Sequence, residues 1–268
     1  MVKGDVVSDR NPSYVIAALD KGLILLNHLA ENPNCGVSEI ASRTGSTKSQ
    51  IFRLLYTLER RGFVHKDPET RNYYLGHSCL YLGERARTQS SLVAVADGVM
   101  ERLALETQEN VHLVVREDTR SVVVALKESP QPLRLYAEIG RKGPLHAGGS
   151  SMVLLAHAPE RIVEEVLSGE LVSFTPNTET RPQRIRRTLA KIRESDFHVA
   201  LEDLDKGAFS IAAPVRDHRS EVVAALSIAG PVSRLTRAVE EEHVERVMQA
   251  AREISRGLGM PTQDQRVA

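Results

Sequence analysis

At 268 residues the chain has room for about two domains. Its 41% hydrophobic and 26% charged residues, with 35 basic side chains balancing 35 acidic ones, are those of a globular protein. No apolar run of about 18 residues and no signal-peptide pattern occurs, so a cytoplasmic protein without a membrane span is expected. Two cysteines, Cys35 and Cys79, exclude a disulfide framework and a Cys-rich zinc pattern.

In chain order, polar residues without periodicity at 1–12, and again at 261–268, predict frayed tails. Leu23-Ile24-Leu25-Leu26 is too short to span a bilayer and fits an opening helix. Val37 to Thr44 reads as a short amphipathic helix with Ile40 and Ala41 on its apolar side. Gly45 supplies the break after it, and Ser46 is expected to cap the next helix. Ile51, Leu54, Leu55 and Leu58 then recur at i, i+3, i+4 and i+7, the spacing of a buried helical stripe. Ser49, Arg53, Tyr56 and Arg60 fall on the opposite face, with Gln50 at its edge.

Phe63-Val64-His65 and Tyr73-Tyr74-Leu75 read as strands joined by the turn-rich segment from Lys66 to Asn72. A hairpin directly after such a helix is the wing of a winged helix-turn-helix. Residues 36–76 hold seven Lys/Arg against four acids, so basicity is concentrated here on a chain of zero net charge. A solvated helix pair followed by an ordinary hairpin is the plain alternative. Turn glycine, polar outer face, wing and charge together favour double-stranded DNA as the partner. Ser49, Gln50 and Arg53 are the expected base-reading residues, and Lys48, Lys66 and Arg71 the phosphate-neutralising ones; Ser46 and Thr47 complete the expected contact set.

His77 to about Arg87 reads as a linker helix interrupted at Gln89-Ser90-Ser91, with a second helix from Leu92 through Leu105. Strands are expected at Val111–Val115, Ser121–Leu126, Leu133–Tyr136, Phe197–Leu201, Ala208–Val215 and Val222–Ala229. Helices are expected from Ser151 to His157, Pro159 to Leu167, Pro182 to Glu194 and Thr236 to about Leu258, with Gly259 and Pro261 as stop signals. Strands grouped at both ends with helices between them predict an α+β domain with a largely antiparallel sheet. The expected organisation is a DNA-binding domain at 13–76, a linker helix at 77–90 and a second domain at 91–260.

Val37-Ser38-Glu39-Ile40-Ala41 followed by Lys48-Ser49-Gln50-Ile51-Phe52-Arg53-Leu54-Leu55 are joined by three further stretches. These are Leu145-His146-Ala147-Gly148-Gly149-Ser150, Ser210-Ile211-Ala212-Ala213-Pro214-Val215 and Ala225-Leu226-Ser227-Ile228-Ala229-Gly230-Pro231. In this order and spacing the chain resembles the IclR family of bacterial transcriptional regulators over nearly its whole length. The resemblance implies a winged helix-turn-helix, a linker helix and a GAF/PAS-like effector-binding domain. It also implies a dimer or tetramer on a palindromic operator, repressing or activating, and modulated by a small, usually carboxylate-bearing metabolite. No metal or cofactor is expected.

Gly148-Gly149-Ser150-Ser151 has a physical logic beside the resemblance. Glycines let a ligand approach the backbone, and a helix beginning near Ser151 presents unpaired N–H groups to a carboxylate. The plain alternative is a serine cap after a flexible turn. Similarity to the family's effector loop favours the ligand, with Ala147, Gly148, Gly149, Ser150, Ser210 and Ser227 as the implied effector residues. Ala200 departs from the family, many of whose members carry Asp or another polar residue there. Glu202 and Asp203 stand nearby. His198 is expected to satisfy a backbone carbonyl rather than face the ligand. A rival reading, a hydrolase built on Ser150 or Ser210 with a histidine, lacks a Gly-x-Ser-x-Gly elbow, and metal, phosphate-loop and dinucleotide patterns are absent. A second domain that only oligomerises is the other alternative.

Overall fold

The computed structural model describes residues 14–89 and 91–261, so the expected tails lie outside the described residues except for Pro261. The chain divides into two compact units, Met1–Gln89 and Ser90–Ala268.

The first unit is built around nine buried side chains: Leu25, Leu29, Cys35, Ile40, Ala41, Ile51, Leu55, Val64 and Tyr73. Helix α1 (Ala17–Glu31) supplies the first two, α2 (Val37–Thr44) the fourth and fifth, and α3 (Lys48–Arg60) Ile51 and Leu55. The expected stripe on α3 is present, with Ile51 and Leu55 buried and Leu54 and Leu58 partly so. Gly45 ends α2 in the left-handed region at φ 65°, where a β-carbon is strained. Strands β1 (Val64–Lys66) and β2 (Tyr73–Leu75) pair antiparallel, and Cys35 bridges to Tyr73 as a third backbone partner. Helix α4 (His77–Gln89) follows β2; the sequence placed its end two residues earlier, and Ser90 lies outside the described residues.

One boundary is corrected. Thr47, not Ser46, caps α3: its Oγ1 accepts from the Gln50 amide at 3.3 Å while Gln50 Oε1 accepts from the Thr47 amide at 3.2 Å. The reciprocal pair satisfies two helix-end donors together, which Ser46 has no glutamine at the right spacing to do.

The second unit is a three-layer α+β structure. Its sheet runs β5-β4-β3-β8-β7-β6, every neighbour antiparallel. The strands are β3 (Asn110–Glu117), β4 (Arg120–Lys127), β5 (Lys142–Pro144), β6 (His198–Leu201), β7 (Ala208–Arg216) and β8 (Val222–Pro231). Alternation of side chains sorts the strands into two faces. Val111, Leu113, Ile211, Ala213, Leu226 and Ile228 meet helices α5 (Ser91–Thr107) and α9 (Arg237–Gly257). Val114, Ala212 and Ala225 point the other way, against α6 (Gly149–Ala156), α7 (Glu160–Ser168) and α8 (Pro182–Ser195). With both faces covered, the central strands read as near-continuous apolar runs. All eight residues of α6 are buried, consistent with its apolar sequence Met-Val-Leu-Leu-Ala. Among the described residues no helix is long and apolar enough to cross a membrane.

Leu133–Tyr136 is not a strand. Its carbonyls go to side chains instead of a ladder: Asn110 Nδ2 donates to Leu135 O at 2.8 Å and Arg234 Nη1 to Leu133 O at 2.9 Å. The edge of β4 is taken by Lys142–Pro144, a strand too short and Gly/Pro-rich to announce itself.

Candidate functional site

On the first unit, α3 presents Ser49, Gln50, Arg53, Tyr56 and Arg60 to solvent, opposite buried Ile51 and Leu55. Lys48 and Ser49 open the helix and are exposed; Ser46 is half-buried. Lys48 and Arg53 have no ion-pair partner among the described residues, whereas Arg43, counted with the basic set, is held by Glu39 and Asn32. Thr47 Oγ1 and Gln50 Oε1 are engaged in the cap, while the Gln50 amide nitrogen Nε2 has no hydrogen-bond partner among the described residues. At the wing, Asp67 Oδ1 accepts from the amides of Glu69 and Thr70, both at 2.8 Å, which fixes the tip. Those bonds hold the Asp67 carboxyl below its ordinary range. Arg71 is exposed at φ 61°, and Lys66, opposite Tyr73, lies with its ammonium 5.6 Å from that ring. The expected contact residues thus share one unit, and among the described residues the side chains of Lys48, Ser49 and Arg53 on the helix and Arg71 on the wing have no partner.

The second unit holds a cavity of about 140 Å³ between the sheet and the start of α6. A row of small side chains makes the room. Ala200 on β6, Ser210 on β7 and Ala229 on β8 stand opposite one another in register, and all three line the void. The next row places His112 on β3 opposite Ser227 on β8. Over this floor lie Gly148, Gly149, Ser150 and Ser151. Gly148 is the N-cap at φ 88°, so α6 begins at Gly149, two residues before the sequence placed it. The amides of Gly149, Ser150 and Ser151 form the open first turn of the helix. Hydroxyls surround them: Ser150 Oγ donates to Ser227 Oγ at 2.7 Å and Ser151 Oγ to Ser121 Oγ at 2.9 Å.

Gly149 is a requirement of the close approach. A β-carbon there would sit 2.5 Å from Ser210 Oγ and 3.0 Å from the Ser210 carbonyl oxygen. Five of the six residues expected from the effector loop and strands therefore line one cavity: Gly148, Gly149, Ser150, Ser210 and Ser227. Ala147 does not; it is fully buried beside them. Asp203 Oδ2 accepts from the Gly148 amide at 2.8 Å, and Glu202 Oε1 from the Gly207 amide at 2.7 Å, so both carboxylates shape the loops around the cavity. Ala200 contributes an apolar wall where a polar group was the family's habit. His198 is not among the lining residues, and burial holds its pKa below the ordinary value against the opposing charge of Asp203.

Sequence reasoning missed His112, Ser121 and Arg141 as lining residues and put Asp203 only near the pocket, which it lines. A histidine inside Val111-His112-Leu113-Val114 was a legible signal, being a polar break in a strand buried on both faces. Arg141 offered none, because its place depends on the long excursion between β4 and β5. His146, the histidine next to Ser150 in sequence, is engaged elsewhere, with its Nε2 2.9 Å from the Val172 carbonyl oxygen, and Ser150 donates to the Ser227 hydroxyl.

Family models agree with this division. The IclR helix-turn-helix domain matches residues 18–68, and the bacterial transcriptional regulator IclR C-terminal domain matches 85–256. The HTH-type transcriptional regulator KipR of Bacillus subtilis (strain 168) is 32% identical over 240 residues, 89% of this chain and 96% of that protein. An IclR transcriptional regulator from Alicyclobacillus acidocaldarius superposes with a TM-score of 0.85 at 28% identity, covering 92% of this chain and all of that one. An IclR homologue from Microbacterium hydrocarbonoxydans, crystallised with 4-hydroxybenzoate, gives 0.81 at 27% identity over 90% of this chain and 98% of its own. Family models over both units, and named regulators matched along nearly the whole length, place this chain in the IclR family of transcriptional regulators, not among enzymes.

Proposed function

We propose that the chain binds a palindromic operator as a homodimer or dimer of dimers, and that a small carboxylate in the cavity alters that binding. In this reading residues 13–76 form the DNA-binding domain, 77–90 the linker helix and 91–260 the effector-binding domain. The observation that carries the ligand assignment is the open first turn of α6, set over Ser210 and Ser227 in a mostly apolar cavity. Three convergent amides at the positive end of a helix suit an anion, and flanking hydroxyls supply further donors. The 4-hydroxybenzoate in the Microbacterium homologue supports a carboxylate guest. Self-association is supported by apolar side chains left uncovered on the first unit: Ile16, Leu19 and Leu23 around α1, and Leu80 and Tyr81 on α4. A second copy related by two-fold symmetry would cover them and present two α3 helices to paired half-sites.

Ser49, Gln50 and Arg53 on α3 are the base-reading residues, and Lys48 on the same helix with Lys66 and Arg71 of the wing neutralise phosphates. An operator selected from a random duplex pool provides the test. Arg53→Ala should weaken that duplex by about 1–3 kcal/mol and relax its sequence preference, if a guanine is read. Lys66→Ala should weaken selected and random duplexes alike and flatten the dependence on salt. Wild-type behaviour of both variants across a salt titration would remove α3 and the wing from the DNA interface.

A further inference from the structure

Four histidine ring nitrogens are buried without a hydrogen-bond partner among the described residues: His28 Nε2, His112 Nε2, His157 Nε2 and His243 Nδ1. Of these residues His112 lines the cavity. It stands directly opposite Ser227, whose hydroxyl receives the bond from Ser150 at the start of α6. The residue is half-buried on a central strand, and its accessible part opens on the cavity. A buried polar atom with no partner is rare in folded proteins and destabilises the chain that carries it.

We propose that His112 is a ligand-selecting residue, which hydrogen-bonds a hydroxyl carried by the carboxylate bound at the first turn of α6. The inference rests on the reading of the cavity as a carboxylate site and names the second group that the guest carries. Burial first, and then the nearby Arg141 cation, push the His112 pKa down to about 4, so the ring is neutral at physiological pH. A neutral imidazole has one donor and one acceptor nitrogen, and a hydroxyl, being both, matches either tautomer. Nε2 itself is closed off in the ligand-free protein, so bonding a guest through it requires the ring to turn about its last torsion, which is broad rather than three-fold. Around the ring the floor is apolar at Val114, Val123, Ala200 and Ala229, Ser227 already takes the bond from Ser150, and Ser210 is the floor's other hydroxyl, so the imidazole adds a separate polar point that can discriminate a hydroxylated acid from its unsubstituted counterpart. A site built to bond a hydroxyl rejects the analogue without it far more strongly than an apolar pocket distinguishes a methylene.

The test uses the full chain and three pairs of acids: lactate and propanoate, 3-hydroxybutanoate and butanoate, 4-hydroxybenzoate and benzoate. Calorimetric titration should show at least one pair in which wild type prefers the hydroxylated acid about tenfold or more. His112→Phe and the smaller His112→Val should erase that preference while binding the unsubstituted acid as before; His112→Gln should keep part of it. Ligand-free His112→Val should melt at or above wild type, since it removes the unpartnered nitrogen, whereas a structural histidine would lower the melting point on replacement. Acids that bind without hydroxyl preference, or a preference unchanged in both apolar variants, overturn this inference and leave the carboxylate reading intact. Failure of all six acids to bind wild type overturns both.

Discussion

Replacing Arg234 with alanine should cost the second unit about 3 kcal/mol and lower its melting temperature by roughly 6–12 °C. Glu109 is 3% exposed, and its carboxylate is gripped by Arg234 from two directions, through Nε at 2.7 Å and through Nη2. Gly230 is pressed against the same carboxylate, with no room for a β-carbon. Truncating the arginine strands a buried negative charge, which is far more costly than removing both partners together. The same guanidinium holds the Leu133 carbonyl, so the excursion that carries Leu135, Tyr136 and Glu138 to the cavity wall loses an anchor. Differential scanning calorimetry of Arg234→Ala and of Arg234→Leu with Glu109→Leu separates the effects. The double replacement should recover much of the loss. A single variant that melts with wild type would show that the pair contributes no net stability.

Gly149→Ala should abolish the ligand response while leaving ligand-free DNA binding within about twofold. The new methyl group meets the Ser210 carbonyl oxygen as well as its hydroxyl. Backbone therefore has to move, lifting the first turn of α6 from the floor of the cavity. Overpacking of this kind costs about 1–3 kcal/mol, and misaligned amides should reduce carboxylate affinity at least tenfold. Gly98→Ala is the control. That glycine lies inside α5 with nothing within 4 Å of the added carbon, so the change should stabilise by roughly 0.5–1 kcal/mol. Equal ligand affinity in Gly149→Ala and wild type would refute the placement of the guest at this helix end.

Much of the architecture was legible because it rests on periodicity. The i, i+3, i+4, i+7 stripe placed α3 and its solvent face, and short apolar runs bounded by polar turns placed β3, β7 and β8 to within one or two residues. Cap chemistry was harder, since Ser46 and Thr47 are both good caps and the choice depends on which reaches Gln50. Leu133–Tyr136 has strand composition, yet Asn110 and Arg234 bind its carbonyls, and those residues are distant in sequence. The cavity was half legible. Its glycine-serine turn and two strand serines carried the resemblance, whereas Arg141 and Asp203 arrive through loops whose paths no local pattern encodes. His112 was visible as a polar break in β3, but its cavity-facing position comes from the register with Ser227.

Fluorescence anisotropy of the selected operator, with and without a saturating acid that stabilises the protein, tests the whole account most directly. Coupling requires the acid to favour one arrangement of the protein over another, and typical coupling amounts to about 5- to 150-fold in affinity. Wild type should therefore change its operator Kd at least fivefold when the acid is added. Ser210→Asp, which sets a carboxylate against the guest, should bind the operator normally and ignore the acid. An operator Kd that no stabilising acid shifts, or a Ser210→Asp protein that responds like wild type, would contradict the assignment of this cavity as the regulatory site.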